Sequence, residues 1–109
     1  MQALVVSIGR NIGAEPMPND VWQDFRDDVA SVILGFGLVV FTGFGDGDWN
    51  EDDEESWTVI VSVGGQVSER DAEYRRVLAE LSALCDNYDQ DAIAVTLGTT
   101  VFATRREVA

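Results

Sequence analysis

The residues best suited to binding chemistry lie in one acidic segment, GFGDGDWNEDDEESW, residues 43–57. Carboxylates attract cations and basic protein surfaces, and tryptophan is enriched at binding hot spots. We predict that the segment binds a basic partner, with Trp49 either in that contact or folded back over the edge of the core. The predicted partner-binding residues are Asp46, Asp48, Trp49, Glu51, Asp52, Asp53, Glu54 and Glu55.

Two other interpretations of the acidic segment stay open. The order DGDWN is similar to the first half of a calcium-binding loop, with Asp46, Asp48, Asn50 and Asp52 as candidate oxygen ligands. The pattern then departs from an EF-hand, because Glu51 replaces the glycine and Trp57 the final glutamate. A weak Ca²⁺ or Mg²⁺ site is therefore one alternative, and no other cofactor is expected. The other alternative is a polar, self-repelling connection between two strands.

The overall charge excludes several classes of function. The formal net charge is −13, with 20 acidic residues against seven arginines, and the chain has no lysine and no histidine. Direct binding to nucleic acid or to an anionic membrane draws on cationic side chains, so neither is expected. Without histidine there is no catalytic triad of the usual kind. Most zinc sites are excluded as well, because Cys85 is the only soft ligand.

The competing class of function is a small-molecule-binding or catalytic ferredoxin-like dimer, with a pocket between the sheet and the helices. Candidate pocket residues are Arg10, Asn11, Tyr74, Tyr88 and Asp91, which offer groups to bind a ligand and a carboxyl to protonate it. No nucleophile elbow, phosphate loop or paired-acid spacing is present in the sequence. We therefore expect binding rather than turnover, and we assign no catalytic residue.

The hydropathy pattern predicts six elements that position these residues. The strands are expected at residues 3–9, 37–44, 56–65 and 92–103, and the helices at 19–35, capped by Asn19, and at 68–88. The order βαββαβ predicts an α+β, ferredoxin-like domain, with a four-stranded antiparallel sheet of order 4-1-3-2 and two helices on one face. We expect residues 1–104 to form this single domain and residues 105–109 a frayed tail.

This predicted topology has two consequences for function. It brings Arg10, Asn11, the acidic segment and residues 86–91 to one end of the domain. It also leaves one sheet face uncovered, and that face is apolar or small at Val5, Ser7, Gly9, Val39, Phe41, Ile60, Ser62, Ala94 and Thr96. An uncovered apolar face marks an interface, so we predict a homodimer across the sheet, with the fourth strand reaching toward the second copy. The alternative is a monomer that exposes these small residues to water.

The segments VSIG, VWQDF, GFGDGDW, EESWTVIV and YDQDAIAV resemble a small uncharacterised bacterial family, a domain of unknown function, and are compatible with small phage proteins of the same build. The resemblance implies a ferredoxin-like fold without an assigned reaction. Arginine used without lysine indicates a G+C-rich genome, such as that of an actinobacterium or its phage.

Together these observations predict a non-catalytic binding protein, of the kind of a phage inhibitor or a nucleic-acid mimic, that engages a basic partner through an acidic rim. A cytoplasmic location is expected, because the sequence shows neither a signal peptide nor an apolar run long enough to span a bilayer.

Overall fold

The computed structural model describes residues 1–49 and 52–105, apart from the Trp49 side chain. The predicted site residues Asn50 and Glu51, and residues 106–109 of the predicted tail, lie outside the described part. The elements in chain order are β1 Gln2–Gly9, β2 Asn11–Ile12, β3 Glu15–Pro16, α1 Asn19–Ile33, β4 Leu38–Trp49, β5 Asp52–Val63, a 3₁₀ turn Val67–Arg70, α2 Asp71–Asn87 and β6 Ala94–Thr99.

The main sheet has the order β4-β5-β1-β6, and each neighbouring pair is antiparallel. The strands β2 and β3 form a separate two-stranded flap. The predicted α+β class, with two helices and a four-stranded antiparallel sheet, is therefore confirmed. None of the helices in the described residues is long and apolar enough to cross a membrane.

The core lies between one face of the sheet and the two helices. Side chains alternate between the two faces of a strand, so every second residue is buried there from Leu4 to Ile8 of β1 and from Trp57 to Val63 of β5. Apolar residues recur at helical spacing on α1 and α2 and complete the same cluster. The principal core residues are Leu4, Val6, Ile8, Trp22, Phe25, Val29, Ile33, Trp57, Val59, Val61, Val63, Val77, Leu81 and Leu84.

The predicted cap of the first helix is wrong. Asn19 is the first residue of α1, and no side chain caps the helix. The Asn19 side-chain oxygen instead accepts a hydrogen bond from Arg10 Nη2 at 2.7 Å. A charged guanidinium donor forms a stronger hydrogen bond than a backbone amide, which accounts for the exchange of partners.

The predicted connection between the second and third strands is also wrong, because most of the acidic segment is paired β-structure. In the register of β4 and β5, Asp46 lies opposite Glu55, Gly47 opposite Glu54 and Asp48 opposite Asp53. The two strands extend as a hairpin beyond the part of the sheet that the helices cover. Backbone hydrogen bonds between the strands are independent of side-chain charge, so an acidic sequence can continue the ladder into solvent.

Most of the residues predicted for the uncovered face of the sheet lie on that face. Phe41, Ile60, Val5 and Thr96 form one row across the four strands. Val39 is the exception, because a bulge between Val39 and Phe41 places Val39 opposite the buried Val61, on the helix side. The strand predicted at residues 92–103 is shorter, since β6 ends at Thr99.

Candidate functional site

A cleft of about 880 Å³ opens on the uncovered face of the sheet, at the end where β1 finishes and β6 begins. Its floor is built from small residues of the sheet, which include Ser7, Gly9 and Ala94. The flap contributes Gly13 and Ala14, at the turn between β2 and β3. The remaining described lining residues are Ile8, Asn11, Gly47, Asp48, Asp52, Glu54, Ser56, Asp89, Gln90, Asp91 and Ala92.

The walls of the cleft are acidic. The β4–β5 hairpin contributes the carboxylates of Asp52 and Glu54, and the connection from α2 to β6 contributes Asp89 and Asp91. No arginine is among the described residues that line the cleft. A concave surface lined by charges of one sign focuses the electric field. The cleft therefore favours a ligand group that carries positive charge.

Glu54 is fixed in the cleft by the start of the flap. The backbone N–H of Asn11 donates to Glu54 Oε2 at 2.7 Å, and the Asn11 side chain donates to the Asp53 carbonyl at 3.0 Å. The Glu54 carboxylate lies over Gly9, where a Cβ would collide with it. The absence of a side chain at Gly9 therefore makes room for Glu54, and Asn11 holds it there.

The connection after α2 is tied to the same point of the flap. Gln90 Nε2 donates to the Asn11 carbonyl at 2.9 Å and to the Tyr88 carbonyl at 3.2 Å. The Gln90 backbone N–H also donates to the Cys85 carbonyl, and Asp89 adopts a positive φ of 52° in the turn. Gln90 thus positions the acidic wall formed by Asp89 and Asp91.

Arg10, which the sequence places in the candidate pocket, does not line the cleft. Each of its side-chain nitrogens donates to the protein: Nε to the Met17 carbonyl at 2.7 Å, Nη1 to Glu55 at 2.9 Å and Nη2 to Asn19 at 2.7 Å. Its backbone N–H pairs with the Glu55 carbonyl as well. Arg10 therefore joins the hairpin, through Glu55, to the start of α1, through Asn19. These contacts help to fix the position of the hairpin that forms one wall of the cleft.

The two candidate tyrosines also lie away from the cleft. The ring of Tyr88 stacks on Phe25 with a centroid distance of 4.5 Å, and its hydroxyl donates to Asp28 on α1. Burial, together with the hydrogen bond and charge of Asp28, raises the pKa of Tyr88 to about 12. Tyr74 stacks on Phe36, 6.2 Å between centroids. Of the predicted pocket residues, the structure brings Asn11 and Asp91 together at the cleft.

The predicted metal ligands are divided by the strand alternation. Asp46 and Asp48 lie on one face of the hairpin, and Asp52, which pairs with Trp49, lies on the other. A side-chain hydrogen bond with Asp53, and the like charge of that residue, raise the pKa of Asp48. Within residues 1–49 and 52–105, no group of three or more His, Cys, Asp or Glu residues is arranged to hold a metal ion. The cation site stays a prediction.

Sequence reasoning missed several residues of the cleft. Gln90 lies between Asp89 and Asp91, and its role depends on the position of Asn11, which is distant in the chain. The hydroxyls of Ser7 and Thr58 share a hydrogen bond of 2.8 Å beside the cleft floor, which strand alternation does not predict. The glycine spacing in GFGDGDW was the one available signal, since it places Gly43, Gly45 and Gly47 on the uncovered face.

Comparison with solved structures identifies a similar fold. A phage SAM lyase in complex with S-methyl-5'-thioadenosine has a TM-score of 0.57 and 16% identity, over 89% of this chain and 79% of that one. The apo form of a phage SAM lyase has a TM-score of 0.56 and 21% identity, over 89% and 78%. The fold is similar to that of phage SAM lyase. At this identity the likeness shows the fold alone.

A DUF3240 family protein from Shewanella baltica OS155 has a TM-score of 0.46 and 12% identity, with 97% of each chain covered. No family model matches the chain, and no curated protein matches it. The resemblance to small phage proteins of the same build is consistent with the likeness in fold to phage SAM lyase.

Proposed function

We propose that the protein is a non-catalytic binding protein whose acidic cleft receives a basic side chain of a partner protein. The observation that carries this proposal is the composition of the cleft wall. Carboxylates from two separate segments, the hairpin and the α2–β6 connection, meet there, and no arginine is among the described lining residues. Surrounding charge of one sign raises the association rate of an oppositely charged partner and selects against acidic ones.

Beyond the cleft, the hairpin carries further carboxylates on both of its faces. We call Asp46, Asp48, Asp52, Asp53, Glu54 and Glu55 the acidic rim. A surface with such dense negative charge imitates nucleic-acid phosphates, so a nucleic-acid-binding protein is the class of partner that fits it. The role of a phage-type inhibitor follows from the same idea, and the likeness in fold to a phage protein supports it.

A second candidate is the binding of a small cationic molecule, with or without turnover. The cleft volume of about 880 Å³ lies within the range of about 300 to 1,000 Å³ that is typical of small-ligand sites. A phage SAM lyase of similar fold has been solved with S-methyl-5'-thioadenosine bound. S-adenosylmethionine carries a sulfonium and an ammonium group, and both suit a cleft walled by carboxylates.

The decisive experiment compares two probes on the same variants. Calorimetric titration with an oligo-arginine peptide and with S-adenosylmethionine is carried out on wild type and on the double variant Asp52→Asn/Glu54→Gln. The control is Asp24→Asn/Glu80→Gln, which removes the same charge from the exposed surfaces of α1 and α2. We expect peptide binding in wild type and control, with a loss of about tenfold or more in the cleft variant.

Equal peptide affinity in the two double variants contradicts a role for the cleft. Tight binding of S-adenosylmethionine, or release of S-methyl-5'-thioadenosine on incubation, would instead support the second candidate, a site for a small cationic molecule.

The ferredoxin-like topology belongs to the same proposal. When the two-residue strands β2 and β3 are set aside, the element order is βαββαβ. The sheet order, counted from the β6 edge, then corresponds to 4-1-3-2. We likewise propose a cytoplasmic location, because a nucleic-acid-binding partner would be encountered there.

A further inference from the structure

The segment that follows β6 carries exposed apolar side chains. We call residues 101–105 the C-terminal arm. Val101 is 86% exposed and Phe102 is 74% exposed, and Arg105 at the end of the arm is exposed as well. Exposure of large apolar side chains to water is unfavourable, and burying them in an interface lowers the free energy. The arm therefore has the composition of a binding segment, apolar first and then basic.

The arm and the acidic cleft lie at opposite ends of the sheet. Ser7 pairs with Ala94 beside the cleft, whereas Gln2 pairs with Thr99 at the far end. The Thr100 N–H donates to the Met1 carbonyl at 2.9 Å, so the chain leaves the sheet at that far end. A single copy cannot bring its own arm to its own cleft without dismantling β6.

The uncovered face between these two ends is apolar in its middle. The row of Phe41, Ile60, Val5 and Thr96 crosses all four strands, and Phe41 is 53% exposed. Leu38, in the next full row toward the far end, is 71% exposed. The face therefore has an apolar centre and one acidic end.

The distribution of negative charge favours one orientation of a second copy that packs on this face. Each chain carries a net charge of −13, and the acidic rim is concentrated at one end. If the strands of two stacked sheets ran in the same direction, the two rims would meet and like charges would repel. An antiparallel stack about the Phe41 row separates the rims. It also places the arm of each copy beside the cleft of the other.

In this arrangement, the arm of one copy and the acidic part of β5 in the other copy extend to similar distances from the central row. Phe102 is six residues beyond Thr96, and Glu54 is six residues before Ile60, so both lie about 20 Å from the central row at about 3.3 Å per residue. Arg105 and Asp52 lie further out, at about 30 and 26 Å on the same basis. Measured along the strand direction, an extended arm is therefore long enough to span the distance to the acidic wall of the other copy.

We propose that two copies stack antiparallel through their uncovered sheet faces, and that the arm of each copy closes the cleft of the other. Phe102 covers the small-residue floor, and Arg105 pairs with the carboxylates of Asp52 and Glu54 in the second copy. This inference goes beyond the proposed function. It makes the chain's own arm the resident occupant of the cleft, which a basic partner has to displace.

Cross-linking between two single-cysteine variants tests this arrangement. Both are built on Cys85→Ser, one with Arg105→Cys and the other with Asp52→Cys, and they are mixed with a short bismaleimide. We expect a covalent dimer from the mixture. Replacing the first variant with Arg75→Cys, on the exposed surface of α2, is expected to give none. Equal cross-linking by both pairs, or none by either, overturns the proposal.

Light scattering adds a second measurement. Wild type at micromolar concentration is expected at about twice 11.9 kDa. Phe41→Asp and Arg105→Asp are each expected to shift the protein toward monomer, because the first buries an unpaired charge and the second adds repulsion at the rim. The swap Arg105→Asp/Asp52→Arg is expected to restore the dimer. A monomeric wild type, or a dimer indifferent to Arg105→Asp, contradicts the inference.

The peptide titration separates this inference from the proposed function. A variant that ends at Thr100 is expected to bind the oligo-arginine peptide several-fold more tightly than the full chain, because no arm competes. A dimer that binds no peptide in either form overturns the proposed function alone. A monomer that binds the peptide equally well with and without the arm overturns the inference alone.

Discussion

Gly9 on β1 provides the space that the Glu54 carboxylate of β5 occupies. A Cβ at position 9 would collide with the carboxylate oxygens, whereas the N–H of Asn11 holds one of them at 2.7 Å. The acidic wall of the cleft therefore depends on a residue that has no side chain. The Asn11 N–H thus holds the Glu54 carboxylate in the space that Gly9 leaves open.

Replacing Gly9 with alanine is expected to expel the Glu54 carboxylate from its place over β1. The loss should weaken peptide binding about as much as Glu54→Gln does. Because the displaced carboxylate is the far end of a flexible side chain, the free energy of unfolding should fall by only about 1 kcal/mol, for the lost hydrogen bond from the Asn11 N–H. Urea unfolding measures the stability and calorimetry measures the binding. Gly64→Ala is the control, because a Cβ at Gly64 meets no atom within 4 Å. Equal behaviour of the two variants contradicts the assigned role of Gly9.

Replacing Arg10 with alanine is expected to loosen the hairpin from α1. The substitution removes three hydrogen bonds, one of them to the Glu55 carboxylate, so we expect a loss of about 2 to 4 kcal/mol in the free energy of unfolding. Arg75→Ala removes an exposed ion pair with Asp71 and should cost less than about 1 kcal/mol. A similarly small loss of unfolding free energy in both variants would contradict the assigned role of Arg10 in holding the hairpin against α1.

Tyr88 is expected to titrate at high pH. Burial, together with Asp28, raises the pKa of Tyr88 from its ordinary value of 10.0 to about 12. Since the folded state holds the proton more tightly than the unfolded state, this contribution to stability is present below pH 10 and is lost between about pH 10 and 12. Ultraviolet titration of phenolate absorbance in wild type and in Tyr88→Phe isolates this group. A Tyr88 transition centred near pH 10 contradicts the prediction.

The Cys85 thiol is expected to react slowly with thiol reagents in the folded protein. Burial, followed by the nearby charge of Asp86, raises its pKa above the ordinary value, so less thiolate is present at pH 8. Reaction with a chromogenic disulfide should therefore be slower in buffer than in a denaturing concentration of urea. Equal rates under the two conditions mean that the thiol is not protected.

Much of the architecture could be predicted from the sequence because its signals are local. The alternation of Leu4, Val6 and Ile8 determines which face of β1 is buried, and the helical spacing of Trp22, Phe25 and Val29 does the same for α1. The net charge and the clustering of carboxylates in residues 46–55 predicted an acidic surface without any knowledge of the fold. These properties depend on residue type and on neighbours a few positions away.

The details of the site depend on contacts between residues far apart in the chain. The acidic segment has few strand-forming residues, and its pairing became visible only in the register of β4 against β5, which extends a ladder begun by apolar residues. Asn11 meets Glu54 and Gln90 because three connections end at one edge of the sheet. The sequence offered Arg10 as a ligand-binding residue, but the proximity of Met17, Asn19 and Glu55 engages all of its nitrogens. Local patterns of residue type therefore specify the helices, most of the strands and the charge. Which polar groups remain to face a ligand follows from tertiary contacts, because it depends on distances that no local pattern encodes.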